Sequence, residues 1–275
     1  MKKTLLIAAA ALAAGVISSQ AQVYSQNVVG YVNVVNPANS FNLVANQLNF
    51  VGPNGTNAVN DVLVTGNFVS GGSTGTPIPQ QSQLFSWNGG GYNQYYYYSA
   101  ADLQALNGGT YYGPSGWYDS GFALVTATLN QGSGSFIYNP SATAITNTFV
   151  GTVVQGTVTN HIVNGFNLIS VVAPLAGLAL DNTNVNFPSY GDNASETYYH
   201  WNGNGYDNLY YYSAAYLFSI DPTYVADGYT PGWYDTGGAN HSTTVNDPLW
   251  QNVGQASFVL YPGPATNWVS TFNVQ

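Results

Sequence analysis

The chain contains an internal duplication, and this feature constrains its fold more than any other. The segment Trp87–Tyr92 (WNGGGY) returns as Trp201–Tyr206 (WNGNGY), and each copy leads into a run of tyrosines followed by Ser-Ala. The tryptophans of the two copies are 114 residues apart, and so are their closing tyrosines. The chain is therefore predicted to consist of two similar units.

Four further segments recur in the same order in both halves. The spacing between them changes, as expected when loops of different length join a shared framework. We place the first unit at 22–151 and the second at 152–275, as two homologous β-repeat domains. The recurring pairs are Phe41–Val44 with Phe166–Ile169, Gly116–Asp119 with Gly232–Asp235, Gly134–Pro140 with Gln255–Pro262, and Thr146–Asn147 with Thr266–Asn267.

The local patterns predict an all-β fold. Short β-branched and aromatic segments alternate with Gly, Asn and Pro clusters, and Asn88-Gly89 and Asn202-Gly203 predict hairpin turns, because Asn and Gly tolerate positive φ. Ser99 and Ser213 predict the N-caps of short helices, and 58–64 predicts another helical turn. We expect two tandem homologous β-sandwich or small β-barrel domains, each with one or two short helical turns. The predicted strands cover 28–34, 41–48, 121–129, 135–139, 148–158 and 257–261.

Residues 1–21 have the pattern of a secretory signal peptide. Lys2 and Lys3 precede the apolar run Leu5–Ile17, and Ser19–Ala21 forms a small-x-small cleavage site. The apolar run is too short to span a bilayer comfortably, and no later run is long enough for a transmembrane helix. We therefore predict an exported bacterial protein, extracellular or on the cell surface, with the periplasm as an alternative location.

The charge composition excludes several partners. Lys2 and Lys3 are the only basic side chains, so the mature chain carries eleven acidic residues and no Lys or Arg. Nucleic-acid binding depends on cations that displace phosphate counterions, and we expect none here. The chain has no cysteine, so its core and hydrogen bonds alone must hold the fold.

The repeated aromatic residues are the main candidates for a binding function. Flat aromatic rings beside Asn and Gly suit sugar recognition, because a ring stacks on the pyranose face and amides bond its hydroxyls. Two alternatives stay open: the rings pack the protein core, or they form a contact surface for another protein. The candidate ligand-binding residues are Trp87, Asn88, Tyr92, Trp117, Trp201, Asn202, Tyr206 and Trp233.

Asp119 and Asp235 are the only acidic residues that clearly match between the repeats. They are weak candidates for a cation site, with calcium as the ion, but the favoured interpretation is that each caps a turn. The histidines occur only in the second unit and show no zinc-binding spacing. No catalytic residue is predicted, and we expect that the protein is not an enzyme.

The chain resembles a group of uncharacterised secreted bacterial β-repeat proteins. The resemblance is carried by Tyr24–Val32, the Phe-Asn-Leu-Val/Ile segments, the Trp-Asn-Gly-x-Gly-Tyr turns, the Gly-x-x-Phe-Ile-Tyr-Asn-Pro segment and Thr148–Gly151. It implies export and a β-repeat structure, and no activity or ligand.

These observations lead to three functional hypotheses. The first is a secreted, non-enzymatic extracellular or cell-surface protein with a structural or adhesive role, whose partners are matrix proteins, surface proteins or further copies of itself. The second is a carbohydrate-binding protein with one aromatic site per repeat, directed at a polysaccharide. The third is an outer-membrane β-barrel, against which the irregular strand spacing argues.

Overall fold

The computed structural model describes residues 28–63, 68–72, 80–183, 185–190, 196–224, 228–244 and 246–273. The predicted signal peptide at 1–21 lies outside these residues. The protein is mostly β, with 41% strand and 8% helix, which confirms the predicted fold class. None of the described helices is long and apolar enough to cross a membrane.

In its described residues, the first repeat contains nine strands and two helices. Its elements, in chain order, are β1 (Val29–Asn36), β2 (Ser40–Ala45), β3 (Val51–Gly52), β4 (Gly55–Thr56), α1 (Val59–Val62), β5 (Gln83–Trp87), β6 (Tyr92–Tyr98), α2 (Ala100–Leu106), β7 (Gly116–Tyr118), β8 (Gly134–Asn139) and β9 (Ile145–Thr152).

The second repeat keeps the same order but has no described counterpart of β3, β4 and α1. Its elements are β10 (Gly156–Ile162), β11 (Gly165–Ile169), β12 (Thr197–Trp201), β13 (Tyr206–Tyr212), α3 (Ala214–Ile220), β14 (Gly232–Tyr234), β15 (Ser257–Tyr261) and β16 (Thr266–Phe272).

Both repeats build the same antiparallel sheet. The strand order is β2-β8-β5-β6-β7 in the first and β11-β15-β12-β13-β14 in the second. The first and last strands of each repeat form a separate two-stranded ribbon, β1–β9 and β10–β16. Each five-stranded sheet has two different end strands, so no described sheet closes into the small barrel that was one of the predicted alternatives.

The helices begin where the sequence predicts. Ser99 Oγ accepts a hydrogen bond from Asp102 N at 3.1 Å at the start of α2, and Ser213 Oγ accepts one from Tyr216 N at the start of α3. Each serine satisfies a backbone N–H that the first helical turn leaves without a partner. Helix α1 lies within the predicted turn at 58–64.

Three of the predicted strands differ from the structure, and the one predicted at 41–48 ends at Ala45. Residues 121–129 make only isolated β-bridges, because Phe122 has a φ of +62° that interrupts an extended backbone. The predicted strand at 148–158 is two strands, β9 and β10, which separate before Gly156 at φ +84°. A positive φ at these positions turns the chain out of the β region.

Successive side chains of a strand point to opposite faces, and both faces of each sheet are covered. One face packs into the core of its own repeat: Leu84 and Tyr97 lie in the first core, and Tyr198 and Leu209 in the second. The opposite faces of the two sheets share a third core. Its buried residues are Leu43, Ala45, Phe136, Leu168, Ala256 and Phe258.

Hydrogen bonds also join the repeats. Ala45 N donates to Gly254 O at 2.9 Å, and Ser170 N donates to Gly132 O at 3.0 Å. The fully buried Gln47 amide donates to Val171 O at 2.8 Å and accepts from Gly254 N at 2.9 Å. The two repeats therefore meet through paired backbone and packed apolar side chains.

Candidate functional site: the aromatic junction between the repeats

The two tryptophans of the repeated turn lie at the junction between the repeats. Trp87 ends β5 and Trp201 ends β12, and both are half-buried. Trp87 Nε1 donates to Phe166 O of the second repeat at 3.3 Å, and Trp201 Nε1 donates to Phe41 O of the first at 3.2 Å. The contacts are reciprocal, so each tryptophan docks its own repeat onto the sheet of the other.

Ring contacts hold both tryptophans in place. Trp87 meets Phe258 edge-on with a centroid distance of 5.3 Å, and Trp201 meets Phe136 in the same way at 5.3 Å. Such edge-to-face pairs add about 0.5–1.5 kcal/mol beyond the area that they bury. The rings therefore have fixed positions. Both tryptophans pack in the core between the repeats. The surface that each one contacts belongs to the other repeat of the same chain.

Tyr92 and Tyr206 lie beside these tryptophans. Their ring centroids are 5.1 Å from Trp87 and 5.2 Å from Trp201, respectively, and each tyrosine keeps 40% of its surface exposed. Burial of the hydroxyl raises the pKa of Tyr206 to about 12, and the nearby Tyr92 contributes to the increase. Both phenols are therefore neutral donors at physiological pH.

The other candidate ligand-binding residues either pack in the repeat cores or form the hairpin turns. Trp117 and Trp233 are fully buried within the two repeat cores, where a surface ligand does not reach. Asn88 Oδ1 accepts from Gly91 N and Asn202 Oδ1 accepts from Gly205 N, both at 2.9 Å. These amides hold the hairpin turns.

Two cavities adjoin Trp87. One, of about 310 Å³, is lined entirely by aromatic rings: Trp87, Phe166, Tyr199, Tyr206 and Phe258. The other, of about 340 Å³, shares Trp87 and Phe166 with the first, and its remaining lining is mostly polar. We call the two cavities together the Trp87 cleft. The polar side chains that line it are Asn130, Gln131, Ser133, Asn160, His161 and Asn167.

Asn160 is a polar residue of the cleft that the sequence analysis did not consider. It lies on the inner face of β10 and is half-buried. Its amide rests against Gly132, where a Cβ would collide with it. The side-chain amide makes no hydrogen bond to any residue that the structure describes. The sequence did not single out Asn160, because its neighbours come from a turn of the other repeat.

Asp119 and Asp235 cap turns, as the favoured interpretation predicts. Asp119 Oδ1 accepts from Gly121 N at 2.8 Å and from Ala123 N at 2.9 Å, and Asp235 Oδ1 accepts from Ala239 N at 2.9 Å. No group of three potential metal ligands occurs among the described residues. The carboxylates are thus already bonded to their own backbone.

His241 is bound on both sides by carboxylates. Its Nδ1 lies 2.5 Å from Asp247 Oδ2, and its Nε2 lies 3.2 Å from Asp235 Oδ2. Burial of the ring favours the neutral form, but the bonds to Asp247 and Asp235 outweigh it and raise the pKa of His241. His241 therefore links Asp235 to Asp247.

Glu196 is another ionisable group that the repeat pattern does not explain. It is fully buried and immediately precedes β12. Its Oε2 accepts a hydrogen bond from Tyr190 N at 2.7 Å, while Oε1 has no partner among the described residues. Burial raises the pKa of Glu196 to about 8, against the opposing effect of the Tyr190 bond. Glu196 is not among the site residues that the sequence predicts, and the structure shows that its carboxyl is enclosed.

Comparisons with known proteins do not test the resemblance to secreted bacterial β-repeat proteins, which stays a prediction. No protein-family model, no curated protein and no solved structure matches this chain significantly.

Proposed function

We propose that the protein is a secreted, non-enzymatic protein with a structural or adhesive role at the cell surface. Export is supported by the pattern of residues 1–21, and a binding role by the surface of the β1–β9 ribbon. The turn-capping of Asp119 and Asp235 supports a non-enzymatic role, because it leaves neither carboxylate poised for acid–base chemistry.

The exposed face of the β1–β9 ribbon is the observation that carries this proposal. Tyr31 is 72% exposed, and Val29 and Val35 are more than half exposed on the same face of β1. Val150 of β9 lies directly opposite Tyr31 and adds to the exposed apolar surface. The face carries no charged residue, and contiguous exposed apolar surface marks interaction sites in soluble proteins.

The edge of the ribbon adds a second means of association. Strand β1 pairs with β9 and with no other strand in the part of the chain that the structure describes. A free edge offers backbone N–H and C=O groups to another strand. The ribbon thus combines an apolar face with an edge that pairs with no further described strand, and both features favour association between chains.

The test is adhesion and self-association of the purified mature protein. We expect it to bind immobilised cells or matrix, or to sediment as an assembly, and Tyr31→Asp with Val150→Asp to abolish this. Tyr111→Asp is the matched control, because Tyr111 is 66% exposed but lies outside the ribbon. A monomeric wild-type protein that binds neither cells nor matrix contradicts the proposal.

Carbohydrate binding is a second candidate, and the Trp87 cleft is the observation that favours it. The cleft combines aromatic rings with side-chain amides, the chemistry that pyranose rings and hydroxyls require. A glycan array screened with the mature protein tests this function, and the absence of binding to any glycan contradicts it.

A further inference from the structure

We infer that the Trp87 cleft is one composite site for a neutral pyranoside glycan, built from both repeats, in place of one site per repeat. The inference rests on the carbohydrate-binding function proposed above and specifies where on the protein the glycan binds. Four observations carry it: the aromatic lining, the amide of Asn160, the asymmetry between the repeats and the absence of charge.

The aromatic cavity presents a rigid apolar surface. Trp87 is fixed by its bond to Phe166 O and by its contacts with Phe258 and Tyr92. A sugar ring has one face of C–H groups, which stack favourably on a flat π-system. Because the rings are already ordered, binding does not incur the entropy cost of fixing them.

The adjoining cavity supplies polar groups at the edge of this surface. The Asn160 amide carries two donors and an acceptor, none of which is bonded to a described side chain or backbone group. A half-buried amide without a protein partner is satisfied by solvent or by ligand. Sugar hydroxyls pair with both its donors and its acceptor, so a pyranose that stacks beside Trp87 has hydrogen-bond partners within the same cleft.

The contact over the glycine differs between the two ends of the junction. Gly254 occupies the position in the second repeat that Gly132 has in the first. The side chains over Gly254 are Val32 and Val34, both buried, where Asn160 lies over Gly132. The sheet differs as well, since Phe41 pairs with Tyr138 while Phe166 pairs with Leu260. The two ends are therefore related in backbone and different in chemistry.

The charge of the cleft selects a neutral ligand. Its lining contains no Asp or Glu, and the mature chain has no Lys or Arg to pair with a uronate or a sulfate. The lining contains one histidine, His161, which is exposed. Glycans with carboxylate or sulfate groups would meet a protein of strong negative charge and are disfavoured.

The experiment measures binding of four neutral oligosaccharides, cellohexaose, laminarihexaose, mannohexaose and chitohexaose, to the full mature chain by titration calorimetry. We expect at least one to bind, and Trp87→Ala to weaken that binding tenfold or more. Trp201→Ala is the matched control, because it removes an indole with the corresponding carbonyl bond that does not line the cleft, and we expect a change below threefold. Asn160→Val reproduces in the cleft the apolar contact found over Gly254 and leaves the tryptophans in place, and it should weaken binding about tenfold.

Each outcome has a defined meaning. Weaker oligosaccharide binding by Trp87→Ala and Asn160→Val, but not by Trp201→Ala, supports the composite site. If Trp87→Ala does not fold, the binding by Asn160→Val tests the site by itself. Binding that responds equally to Trp87→Ala and Trp201→Ala, or that ignores Asn160→Val, overturns this location but leaves carbohydrate binding intact. No binding of any probe overturns both the site and the carbohydrate-binding function.

Discussion

Two ionisable side chains of the second repeat replace small neutral residues of the first. Tyr211 N donates to Glu196 O as Tyr97 N donates to Ser82 O, so Glu196 corresponds to Ser82. By the same comparison of backbone bonds to Trp233 and Trp117, His241 corresponds to Val125. At both positions the duplicated backbone accommodates an ionisable side chain, because hydrogen-bond partners or a bound proton compensate for its burial.

Glu196→Gln is predicted to stabilise the protein at alkaline pH. Burial raises the pKa of Glu196 from 4.5 to about 8, so the folded state holds a proton that the unfolded state has released. Stability therefore falls as pH rises from about 4.5 to about 8. Since one pKa unit is worth about 1.4 kcal/mol, the loss is several kcal/mol, and the Gln variant avoids it.

The measurement is thermal or urea unfolding of both proteins at pH 4 and pH 9. The variant should match the wild type at pH 4, where both side chains are neutral, and exceed it at pH 9. Glu196→Asp serves as a control, because it keeps an ionisable group at the same place. Equal stability of wild type and Gln variant at pH 9 would show that the Glu196 carboxylate is solvated or paired in the folded state.

At the element scale, the hairpins show how a correct prediction can have a different physical cause. The Asn-Gly dipeptides predict tight turns through positive φ at both residues, but only the glycines have it: Gly89 at +95° and Gly203 at +97°. The asparagines act through their side chains, which accept from backbone N–H groups two and three residues later. The loops contain four residues, because Trp87 pairs with Tyr92 and Trp201 with Tyr206.

Gly203→Ala and Gly205→Ala are predicted to differ, although they lie in the same turn. A Cβ at either position meets nothing within 4 Å, but only Gly203 has a positive φ. Gly203→Ala should cost about 1 kcal/mol from backbone strain alone. Gly205→Ala should be neutral or slightly stabilising, because it reduces the entropy of the unfolded chain. Urea unfolding of the two variants measures the difference, and equal effects would mean that the turn relaxes to accommodate a side chain.

The sequence predicted the elements better than their assembly, and the reason is the range of the interactions. Serine caps and turn residues act over three or four positions, so α2, α3 and both hairpins were predictable. Strand alternation also predicts which sheet face carries Phe136 and which carries Phe258. No local sequence pattern predicts that these two faces pack against each other. The contact of Asn160 with Gly132 depends on the same assembly, so this part of the candidate site was not predictable.

At the scale of the whole molecule, the shared core couples the repeats. If the repeats separated, the sheet faces that share the third core would become exposed. The first repeat would expose Phe136 and Trp87, and the second would expose Phe258 and Trp201. Burial of a large aromatic side chain is worth about 1.5–3 kcal/mol, and the buried Gln47 amide would lose its partners across the junction. We therefore expect the two repeats to unfold as one cooperative unit.

Leu84→Ala and Leu209→Ala test this expectation, because each removes a fully buried leucine from the core of a different repeat. Each should cost about 2–5 kcal/mol and move a single calorimetric transition of the whole chain to lower temperature. Leu106→Ala is the control, since Leu106 is 46% exposed and should change stability little. If the repeats are independent, the scan instead splits into two transitions, and each variant moves only its own. That result would mean that the reciprocal tryptophan contacts orient the repeats without contributing to their stability.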